Sequence, residues 1–301
     1  MSFEIVSVVG PTASGKSDLA ISLALELGGC EIINTDSMQL YRGMDIGTAK
    51  LSKSEMRGVP HHLISCLNPD SDLSVVEYRE LFDEAVSSIQ DRGNRVVTVG
   101  GSTLYLSAAL DEMNFAPTDL ELRDRLEVEL QEQGPLKLWE RLRSVDPDSA
   151  SKIPASNPRR VIRALEVIAL TGESYKASLP VPVYRRSTLQ IGISVPREVL
   201  IERIERRVEA MWQGGLVEEV AMLLRQYPKL SRTARVAIGY QQTALQLAGE
   251  LSEDEAIAQT IQLTTRYAKK QMTWLRRDSR IKWLDFSDDL PKAALELIRL
   301  G

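Results

Sequence analysis

The sequence predicts an α/β fold in which a parallel sheet carries helices on both faces and is interrupted by an all-helical insertion. Apolar, β-branched runs alternate with helical segments over roughly the first hundred residues, and an alternating strand returns at residues 188–195. Between Pro117 and Pro182 only helical periodicity occurs. Because strands separated by helices pair in parallel, their sheet needs cover on both faces.

The N-terminal part of this fold is predicted from three strands and two helices. Each strand is a short apolar run, and each helix shows apolar residues three and four positions apart. The predicted strands are residues 3–9, 31–35 and 95–99, the last closed by Gly100-Gly101. The predicted helices are residues 16–27 and 77–91.

The helical insertion is predicted from three further periodic segments, residues 120–133, 136–144 and 159–170. Pro180, Pro182 and the pair Arg185-Arg186 then have the composition of a linker. We therefore expect a core domain formed by residues 1–116 and 186–301, and an insertion domain formed by residues 117–185. After Pro196 the chain is predicted to be mainly helical to Ala268, with a late strand at residues 281–284.

Composition narrows the class of protein. The 301 residues are 43% hydrophobic and 26% charged, which excludes a disordered or collagen-like chain. No uncharged apolar run approaches about 18 residues, so we expect no membrane partner.

The N-terminus lacks a basic signal region, and Cys30 and Cys66 are too few for a disulfide framework or a four-cysteine zinc site. His61-His62 lacks a nearby third soft ligand, so we expect no metal there. A cytoplasmic monomer is the expectation.

Positive charge is concentrated in two segments although the net charge is −5. Residues 152–207 contain 11 Lys and Arg against 5 Asp and Glu, and residues 264–282 contain 7 against 1. Such polarisation suits a protein that meets a polyanion on one face, although solvated helix faces give the same pattern.

A phosphate-binding loop follows the first predicted strand. The residues match G-x-x-x-x-G-K-[ST] between a strand and an amphipathic helix. Glycines let backbone amides turn inward, the lysine neutralises phosphate oxygens, and Ser17 offers a hydroxyl to Mg²⁺. The core is therefore predicted to be P-loop NTPase-like. Its residues are Gly10, Pro11, Thr12, Ala13, Ser14, Gly15, Lys16 and Ser17.

Two polar sites are expected at the same edge of the sheet. Asp36 follows the second predicted strand, where ligands bind in open α/β sheets, so its carboxylate is a candidate general base or Mg²⁺ ligand. Ser102 and Thr103 follow the third strand and are expected to face the same crevice. A turn aspartate and helix-capping hydroxyls are the structural alternatives. The third strand ends without a Walker B acid, and no guanine-recognition motif occurs.

Ordered motifs along the chain resemble the tRNA dimethylallyltransferase family. After the phosphate loop come Thr35-Asp-Ser-Met-Gln-Leu-Tyr-Arg-Gly-Met-Asp-Ile-Gly-Thr-Ala-Lys50 and Gly58-Val-Pro-His-His-Leu63. Val99-Gly-Gly-Ser-Thr-Leu-Tyr105, Arg159-Arg-Val-Ile-Arg-Ala-Leu-Glu-Val167, Ala237-Ile-Gly-Tyr240 and Thr265-Arg-Tyr-Ala-Lys-Lys-Gln-Met-Thr-Trp274 continue the similarity. The matches cover nearly the whole chain, and the block from Asp36 to Lys50 is the most specific.

The resemblance implies transfer of a dimethylallyl group from dimethylallyl diphosphate to N6 of adenosine 37, beside the anticodon of tRNA. It implies that Asp36 is the general base, that Ser102 lies near the target nucleotide, and that the phosphate loop holds the leaving diphosphate with Mg²⁺ on Ser17. The resemblance also implies an arginine that stabilises the departing diphosphate. We favour Arg207, with Arg203 one turn earlier on the same helical face.

The resemblance also implies contacts with the anticodon stem-loop. Two departures from the family pattern occur: Ser102-Thr103 stands where Thr-Gly is common, and Ser156-Asn157 where Asn-Asp is common. The expected tRNA-binding residues are Asp36, Ser37, Met38, Gln39, Ser102, Arg123, Asn157, Arg159, Arg160, Arg235, Gly239 and Tyr240.

Three other functions remain open at this point. A related adenylate isopentenyltransferase would prenylate free AMP, ADP or ATP, although the tRNA-like insertion and the basic residues 266–282 argue against it. A small-molecule kinase would share the phosphate loop and transfer phosphate from ATP. A nucleotide-gated RNA-binding protein would bind RNA without changing it covalently.

Overall fold

The structure, a computed structural model, describes residues 3–176 and 183–300. Two compact units are present, one formed by Met1–Glu112 with Pro182–Gly301 and the other by Met113–Val181. Met1, Ser2 and the predicted linker prolines, Pro180 and Pro182, lie outside the described residues.

A parallel sheet forms the centre of the larger unit and confirms the predicted α/β class. Within the described residues its order is β3-β2-β4-β1-β5-β6, and every neighbouring pair is parallel. The strands are β1 (Ile5–Val9), β2 (Cys30–Asn34), β3 (His61–His62), β4 (Arg95–Gly100), β5 (Thr188–Ser194) and β6 (Lys282–Asp285).

Helices cover the sheet and make up much of the remaining described chain. They are α1 (Lys16–Leu27), α2 (Val75–Asp91), α3 (Thr103–Leu110), α4 (Leu120–Val145), α5 (Pro147–Lys152), α6 (Pro158–Thr171), α7 (Arg197–Gln213), α8 (Leu216–Gln226), α9 (Tyr240–Leu247), α10 (Glu253–Leu275) and α11 (Leu290–Leu300). On one face of the sheet, α1 and α11 share an apolar cluster with alternate strand residues. On the opposite face, α2 packs on β2 and β4 through residues outside that cluster.

The strand register brings three carboxyl ends to one edge. Val9 of β1 pairs with Gly100 of β4, and Asn34 of β2 pairs with Val99. A Cβ atom on Gly100 would lie only 2.2 Å from the Thr35 Oγ1 atom. Because no side chain fits there, β4 closes tightly against the end of β2. The loops after β1, β2 and β4 therefore meet at one place.

Helices α7 to α10 form a second apolar cluster in the larger unit. Ile204 and Trp212 of α7 pack with Leu216 of α8, and the cluster also includes Tyr41 and Met44 from the segment after β2. This packing anchors that long segment, which contains little regular structure, against the C-terminal helices.

The smaller unit, residues 113–181, is built from α4, α5 and α6 within its described part. Helix α4 kinks at Gly134, whose φ is 81°, immediately before Pro135. The kink falls between the two helices expected at 120–133 and 136–144. Leu142 is fully buried in the apolar cluster of this unit.

The ends of the predicted insertion differ from the observed division. The structure separates residues 113–181, whereas the sequence predicts 117–185. Glu112 N–H donates to the Val183 carbonyl at 2.7 Å, and Arg185 N–H donates to the Leu110 carbonyl at 2.9 Å. Arg185 and Arg186 also bind Asp83 of α2, at 2.7 and 2.6 Å. These contacts attach residues 183–186 to the larger unit.

The sequence does not predict four of the elements, β3, α3, α5 and α11, and one helix begins earlier than expected. Strand β3 has two residues and no apolar alternation, while α3 and α5 are single short helices. Helix α2 starts before Glu77 because Ser74 and Glu77 form a capping box. No helix in residues 3–176 and 183–300 combines the length and apolarity that a bilayer crossing requires.

Leu142→Ala should destabilise the smaller unit by about 2–5 kcal/mol, because it removes a fully buried side chain and leaves a cavity. Leu136→Ala on the same helix is the control, since Leu136 is 59% exposed and should cost under about 0.5 kcal/mol. Urea denaturation measures both changes. Equal effects of the two substitutions would contradict the packing.

Candidate active site

The phosphate-binding loop, residues 10–17, runs from β1 into α1. Gly15 adopts the left-handed conformation, with a φ of 88°, at the N-cap of α1. Ala13 is buried and has a φ of 63°, unusual for a residue with a side chain. These two residues wrap the loop around the helix N-terminus, where free N–H groups and the helix dipole favour an anion.

A cavity of about 350 Å³ opens at this edge of the sheet. Residues 12–18 of the phosphate loop and α1 line it, as do residues 48–51 from the segment after β2. Asn34, Asp36, Val99 and Arg207 complete much of the wall. The structure therefore places a phosphate-binding loop, a carboxylate and a guanidinium around one space.

Lys16 is the charged side chain of the loop. Its ammonium donates to the Pro11 carbonyl at 2.6 Å. Burial lowers the pKa of Lys16 to about 8, the Asp36 carboxylate opposes that change, and the Arg207 cation adds to it. Lys16 is therefore mostly cationic at pH 7, in an environment that favours the arrival of more negative charge.

Asp36 is held by a turn directly after β2. The Asp36 N–H donates to Asn34 Oδ1 at 2.9 Å, and Asn34 Nδ2 donates to the Asp36 carbonyl at 2.9 Å. The Asp36 Oδ1 atom accepts the Met38 N–H, also at 2.9 Å. Asp36 is thus a turn residue whose carboxylate also lines the cavity, so both interpretations of the sequence describe it.

Ser102 lies against the same turn. Its Oγ accepts the Ser37 N–H at 3.1 Å and is 3.2 Å from the Ser37 hydroxyl oxygen. Ser102 occupies the N-cap position of α3, but its side chain makes no capping hydrogen bond. The hydroxyl therefore ties the end of β4 to the residue after Asp36, instead of capping the helix.

The two candidate arginines of α7 lie at different places. Arg207 lines the cavity, and burial, with the neighbouring Arg203 cation, lowers the pKa of its guanidinium. Arg203 lies beside the phosphate loop: its Nη2 atom is 3.7 Å from where a Cβ on Gly15 would be, and its guanidinium stacks 4.7 Å above the Phe286 ring. The pair places two positive charges along the loop.

A buried carboxylate that the sequence analysis missed fixes the segment after β2. Glu219 of α8 accepts the N–H groups of Asp45 and Ile46, at 3.1 and 2.8 Å. The Tyr240 hydroxyl donates to the same carboxylate at 2.5 Å, and the Tyr240 ring packs where a Cβ on Gly47 would be. Burial, followed by the Glu219 charge, raises the pKa of Tyr240 well above its usual value.

Lys50 secures the far end of this segment and was also missed as a site residue. Its ammonium donates to the Tyr41 carbonyl, to Asp45 Oδ1 at 2.7 Å and to Ser65 Oγ at 2.9 Å. The side chain is nearly inaccessible, and burial lowers its pKa. The sequence predicts no role for Lys50 beyond its place in the block from Asp36 to Lys50. Nothing local in the sequence distinguishes a buried lysine from a surface one.

The predicted tRNA-binding residues near Asp36 divide between the cavity and the core. Gln39 lines the cavity, and its amide donates to the Thr48 carbonyl at 3.1 Å. Ser37 contacts Ser102, while Met38 packs against the apolar cluster of α7 to α10. An RNA contact of Ser37 or Gln39 stays a prediction.

Other predicted tRNA-binding residues are exposed. Arg159 and Arg160 lie in the first turn of α6, and Asn157 caps that helix by accepting the Arg160 N–H at 3.4 Å. Arg235 is exposed in the short 3₁₀ turn Ala234–Val236. Their positions leave them accessible to a nucleic acid.

Three predicted tRNA-binding residues are buried or paired within the fold. Tyr240 is 2% exposed and bonds Glu219, so its side chain positions the segment at Gly47 and has no free face for RNA. Gly239 is buried beside it. Arg123 donates to the buried Glu166 at 2.7 Å. Because the Tyr240 side chain is buried and paired, this structure offers it no surface for the predicted RNA contact.

The adjacent histidines form strand β3 at the edge of the sheet, and their side chains contact neighbouring residues. His62 Nε2 lies 2.5 Å from the buried Glu31 carboxylate, and His61 Nδ1 lies 2.8 Å from the Val59 carbonyl. Arg92, which hydrogen-bonds Glu31, lowers the pKa of that carboxyl to about 2. The described residues contain no cluster of three metal-ligating side chains.

Comparison with known proteins assigns the family. Residues 39–278 match the family model described as IPP transferase. The chain belongs to the IPP transferase family. The tRNA dimethylallyltransferase of Streptomyces griseus subsp. griseus is 49% identical over 300 residues, which cover 98% of this chain and 95% of that protein. The tRNA dimethylallyltransferase of Salinispora tropica is 49% identical over 296 residues, covering 98% and 92%.

Solved structures of IPP transferases share the fold. The tRNA isopentenylpyrophosphate transferase of Bacillus halodurans has a TM-score of 0.71 and 36% identity, covering 99% of this chain and 95% of that one. A eukaryotic dimethylallyltransferase solved acting on tRNA has a TM-score of 0.80 and 25% identity, covering 98% and 78%. The resemblance inferred from the motifs is confirmed.

The departure at Ser102-Thr103 is accommodated in this IPP transferase. Thr103 is the first residue of α3 and has no positive φ, so its position does not need glycine. Ser102 supplies the hydroxyl that accepts the Ser37 N–H. The backbone after β4 is therefore compatible with both substitutions.

Binding of inorganic pyrophosphate should weaken as pH rises through 8. Lys16 has a pKa of about 8 and loses its charge in that range, whereas an anion binds best to its cationic form. If only the cation binds, affinity falls about tenfold between pH 7 and 9. Calorimetry on Lys16→Met measures the part due to the ligand's own titration. An equal fall in that variant would contradict the assignment.

Proposed function

We propose that this IPP transferase transfers a dimethylallyl group from dimethylallyl diphosphate to N6 of adenosine 37 in tRNA. One observation carries the assignment of roles: Asp36 and the phosphate loop with Lys16 line the same cavity, in a chain of this family. The relatives named tRNA dimethylallyltransferase, and the eukaryotic enzyme solved acting on tRNA, support the substrate pair.

In the proposed reaction, N6 of the adenine attacks the allylic carbon as the bond from that carbon to the diphosphate oxygen breaks. The N6 proton passes to the Asp36 carboxylate, whose orientation is set by the Met38 N–H. The target base must leave its stack to reach the cavity, which costs a few kcal/mol and least in a single-stranded loop. The Ser102 hydroxyl, beside Ser37, contacts the base in this proposal.

The leaving diphosphate is stabilised by the opposite wall of the cavity. Lys16 and Arg207 supply positive charge there, and the N-terminus of α1 supplies backbone N–H groups. Arg203 extends the positive potential along the loop. Because these groups are partly desolvated, their charge acts more strongly on the departing anion than it would in water.

The donor set fits Mg²⁺. Ser17 and Asp36, whose side chains carry oxygen atoms, line the same cavity as the loop, and Mg²⁺ prefers oxygen ligands together with substrate phosphates. Ser17 is the residue that would hold the ion, and the ion would neutralise charge on the diphosphate. Asp36 remains the proton acceptor in this proposal.

Transfer RNA phosphates are expected to contact exposed cations on both units. On α10 and the turn after it, exposed basic residues recur three, four and seven positions apart, which places them on one helical side. In the smaller unit, Arg159 and Arg160 are also proposed to contact tRNA phosphates. This unit is therefore proposed to be the insertion that binds the anticodon stem-loop. The basic residues of the first group are Arg266, Lys269, Lys270, Arg276 and Arg277.

Two general features complete the proposal. We assign the enzyme to the cytoplasm, where tRNA is modified and where the exposed free thiol of Cys66 meets reducing conditions. We also propose that the chain acts as a monomer, as the sequence analysis expects.

Asp36→Asn should reduce the rate of transfer by about 10²–10⁴-fold, because an amide does not accept the N6 proton. Asparagine keeps an oxygen for the Met38 N–H, so the turn is preserved. The rate is measured by mass spectrometry of nucleosides after incubating tRNA with dimethylallyl diphosphate.

Binding of inorganic pyrophosphate tests whether the Asp36→Asn cavity is intact, and it should be unchanged or tighter because a negative charge is removed. Asp91→Asn, at an exposed acid ending α2, is the control and should transfer at the normal rate. A normal rate for Asp36→Asn would refute Asp36 as the base. Prenylation of free AMP in place of tRNA would refute the proposed acceptor.

Lys269→Gln should weaken tRNA binding with little dependence on tRNA sequence. Loss of one phosphate contact reduces the slope of log affinity against log salt concentration by about 0.7–0.9. Lys292→Gln, at an exposed lysine of α11, is the matched control. Filter-binding titrations at several salt concentrations compare the two, and identical slopes for Lys269→Gln and wild type would contradict the assigned surface.

A further inference from the structure

One buried side chain joins two loops of the site. Gln271 of α10 is 3% exposed. Its Oε1 atom accepts the Thr12 N–H at 2.9 Å, and its Nε2 atom donates to the Gly101 carbonyl at 2.8 Å. A single carboxamide therefore cross-links the phosphate loop to the turn after β4, although Thr12 and Gln271 are 259 positions apart in the chain.

The packing around this cross-link leaves no space for a side chain at Gly101. A Cβ atom on Gly101 would lie 2.5 Å from Gln271 Nε2 and 2.7 Å from the Gly10 carbonyl oxygen. Both are closer than a carbon atom tolerates, so the turn after β4 is pressed directly against the amide and the phosphate loop. A displacement of one loop must therefore move the other or break a buried hydrogen bond.

The chemistry of the cross-link requires a carboxamide. One partner is an N–H group and the other a carbonyl oxygen, so the side chain between them must accept on one side and donate on the other. A methionine of similar length does neither. An ionised glutamate accepts from Thr12 but has no hydrogen for the Gly101 carbonyl, and it adds a charge.

The two loops serve opposite halves of the proposed reaction. Thr12 lines the cavity within the diphosphate-binding loop. Gly101 precedes Ser102, whose Oγ accepts the Ser37 N–H beside Asp36. The connection from the leaving-group side to the base-contacting side thus consists of Gln271, the peptide at 101–102 and one serine hydroxyl.

We propose that Gln271 is a positioning residue that couples diphosphate binding in the phosphate loop to the placement of Ser102 and, through Ser37, of Asp36. The assignment of one loop to the diphosphate and of the other to the target base rests on the proposed function. Tyr267, one turn earlier on α10, supports this arrangement: its hydroxyl lies beside Ser102 and Gln271, and desolvation followed by the Asp36 charge raises its pKa to about 12. The same helix therefore reaches both sides of the site.

Hydrogen–deuterium exchange of the full-length protein tests the coupling directly. In the wild type, inorganic pyrophosphate should slow exchange both in the phosphate loop and in residues 101–106. In Gln271→Met the protection should be confined to the phosphate loop. Without ligand, both segments should exchange about tenfold faster in Gln271→Met than in the wild type, because two buried hydrogen bonds are lost.

A matched substitution separates this effect from a general change in α10. Gln262 lies on the same helix and is exposed, so Gln262→Met should exchange as the wild type does. Gln271→Glu is the second variant and keeps the acceptor for Thr12. It should speed exchange in residues 101–106 more than in the phosphate loop. If Gln271→Met does not fold, this variant decides the same question.

Steady-state kinetics give a second reading. Gln271→Met should raise KM for dimethylallyl diphosphate and lower kcat, each by about tenfold, since both sides of the site shift. A purely structural role would lower Tm while leaving KM and kcat per folded molecule unchanged. That outcome would overturn the proposal, as would pyrophosphate protection of residues 101–106 persisting in Gln271→Met.

The outcomes distinguish this proposal from the proposed function. If the wild type transfers no dimethylallyl group to tRNA, the function is wrong, yet the exchange data still decide whether Gln271 couples the loops. If the wild type transfers normally and the ligand-free exchange of Gln271→Met equals that of wild type, the function stands and the coupling is refuted.

Discussion

The close contact of β4 with β1 and β2 at their carboxyl ends controls the geometry of the site. Because Val9 pairs with Gly100 and Asn34 with Val99, the three following loops start at one level of the sheet. Gly100 has no space for a side chain, so these loops begin in contact. A phosphate-binding loop, an acid and a hydroxyl therefore face one cavity without any long connection between them.

The meeting of these loops also brings buried charges close together, and the fold offsets only part of the free-energy cost of burying them. Two cations, Lys16 and Arg207, border the cavity, and burial lowers the pKa of both. Asp36 supplies one opposing charge, and the Pro11 carbonyl accepts a hydrogen bond from Lys16. An anion bound at the phosphate loop would face both cations and the N-terminus of α1, so a diphosphate there offsets part of the cost of burying them.

Local patterns were sufficient to predict the groups proposed to react, and insufficient for those that hold them. The phosphate loop and Asp36 follow from short motifs placed after apolar strands, so the sequence indicates them directly. Glu219 binds Asp45, 174 positions away, and Gln271 binds Thr12, 259 positions away, and nothing near either in sequence reveals its partner. Strand β3 was missed because two histidines lack the alternation that identifies a strand. Tyr240 was assigned to RNA because a motif gives residue types without their burial.

The division between local and distant residues follows from what the chemistry requires. Each group proposed to react is oriented locally: the Asp36 carboxylate by the Met38 N–H, and the phosphate loop by the left-handed Gly15. Transfer between two bound substrates depends on the distance between those groups, and local structure does not set that distance. In the proposed mechanism it depends on side chains from two C-terminal helices. Glu219 of α8 holds the segment at residues 45–47, and Gln271 of α10 joins two loops. In the proposed reaction the C-terminal helices therefore act through the placement of residues that they do not contain, as supporting residues do when a site must be held to a fraction of an ångström.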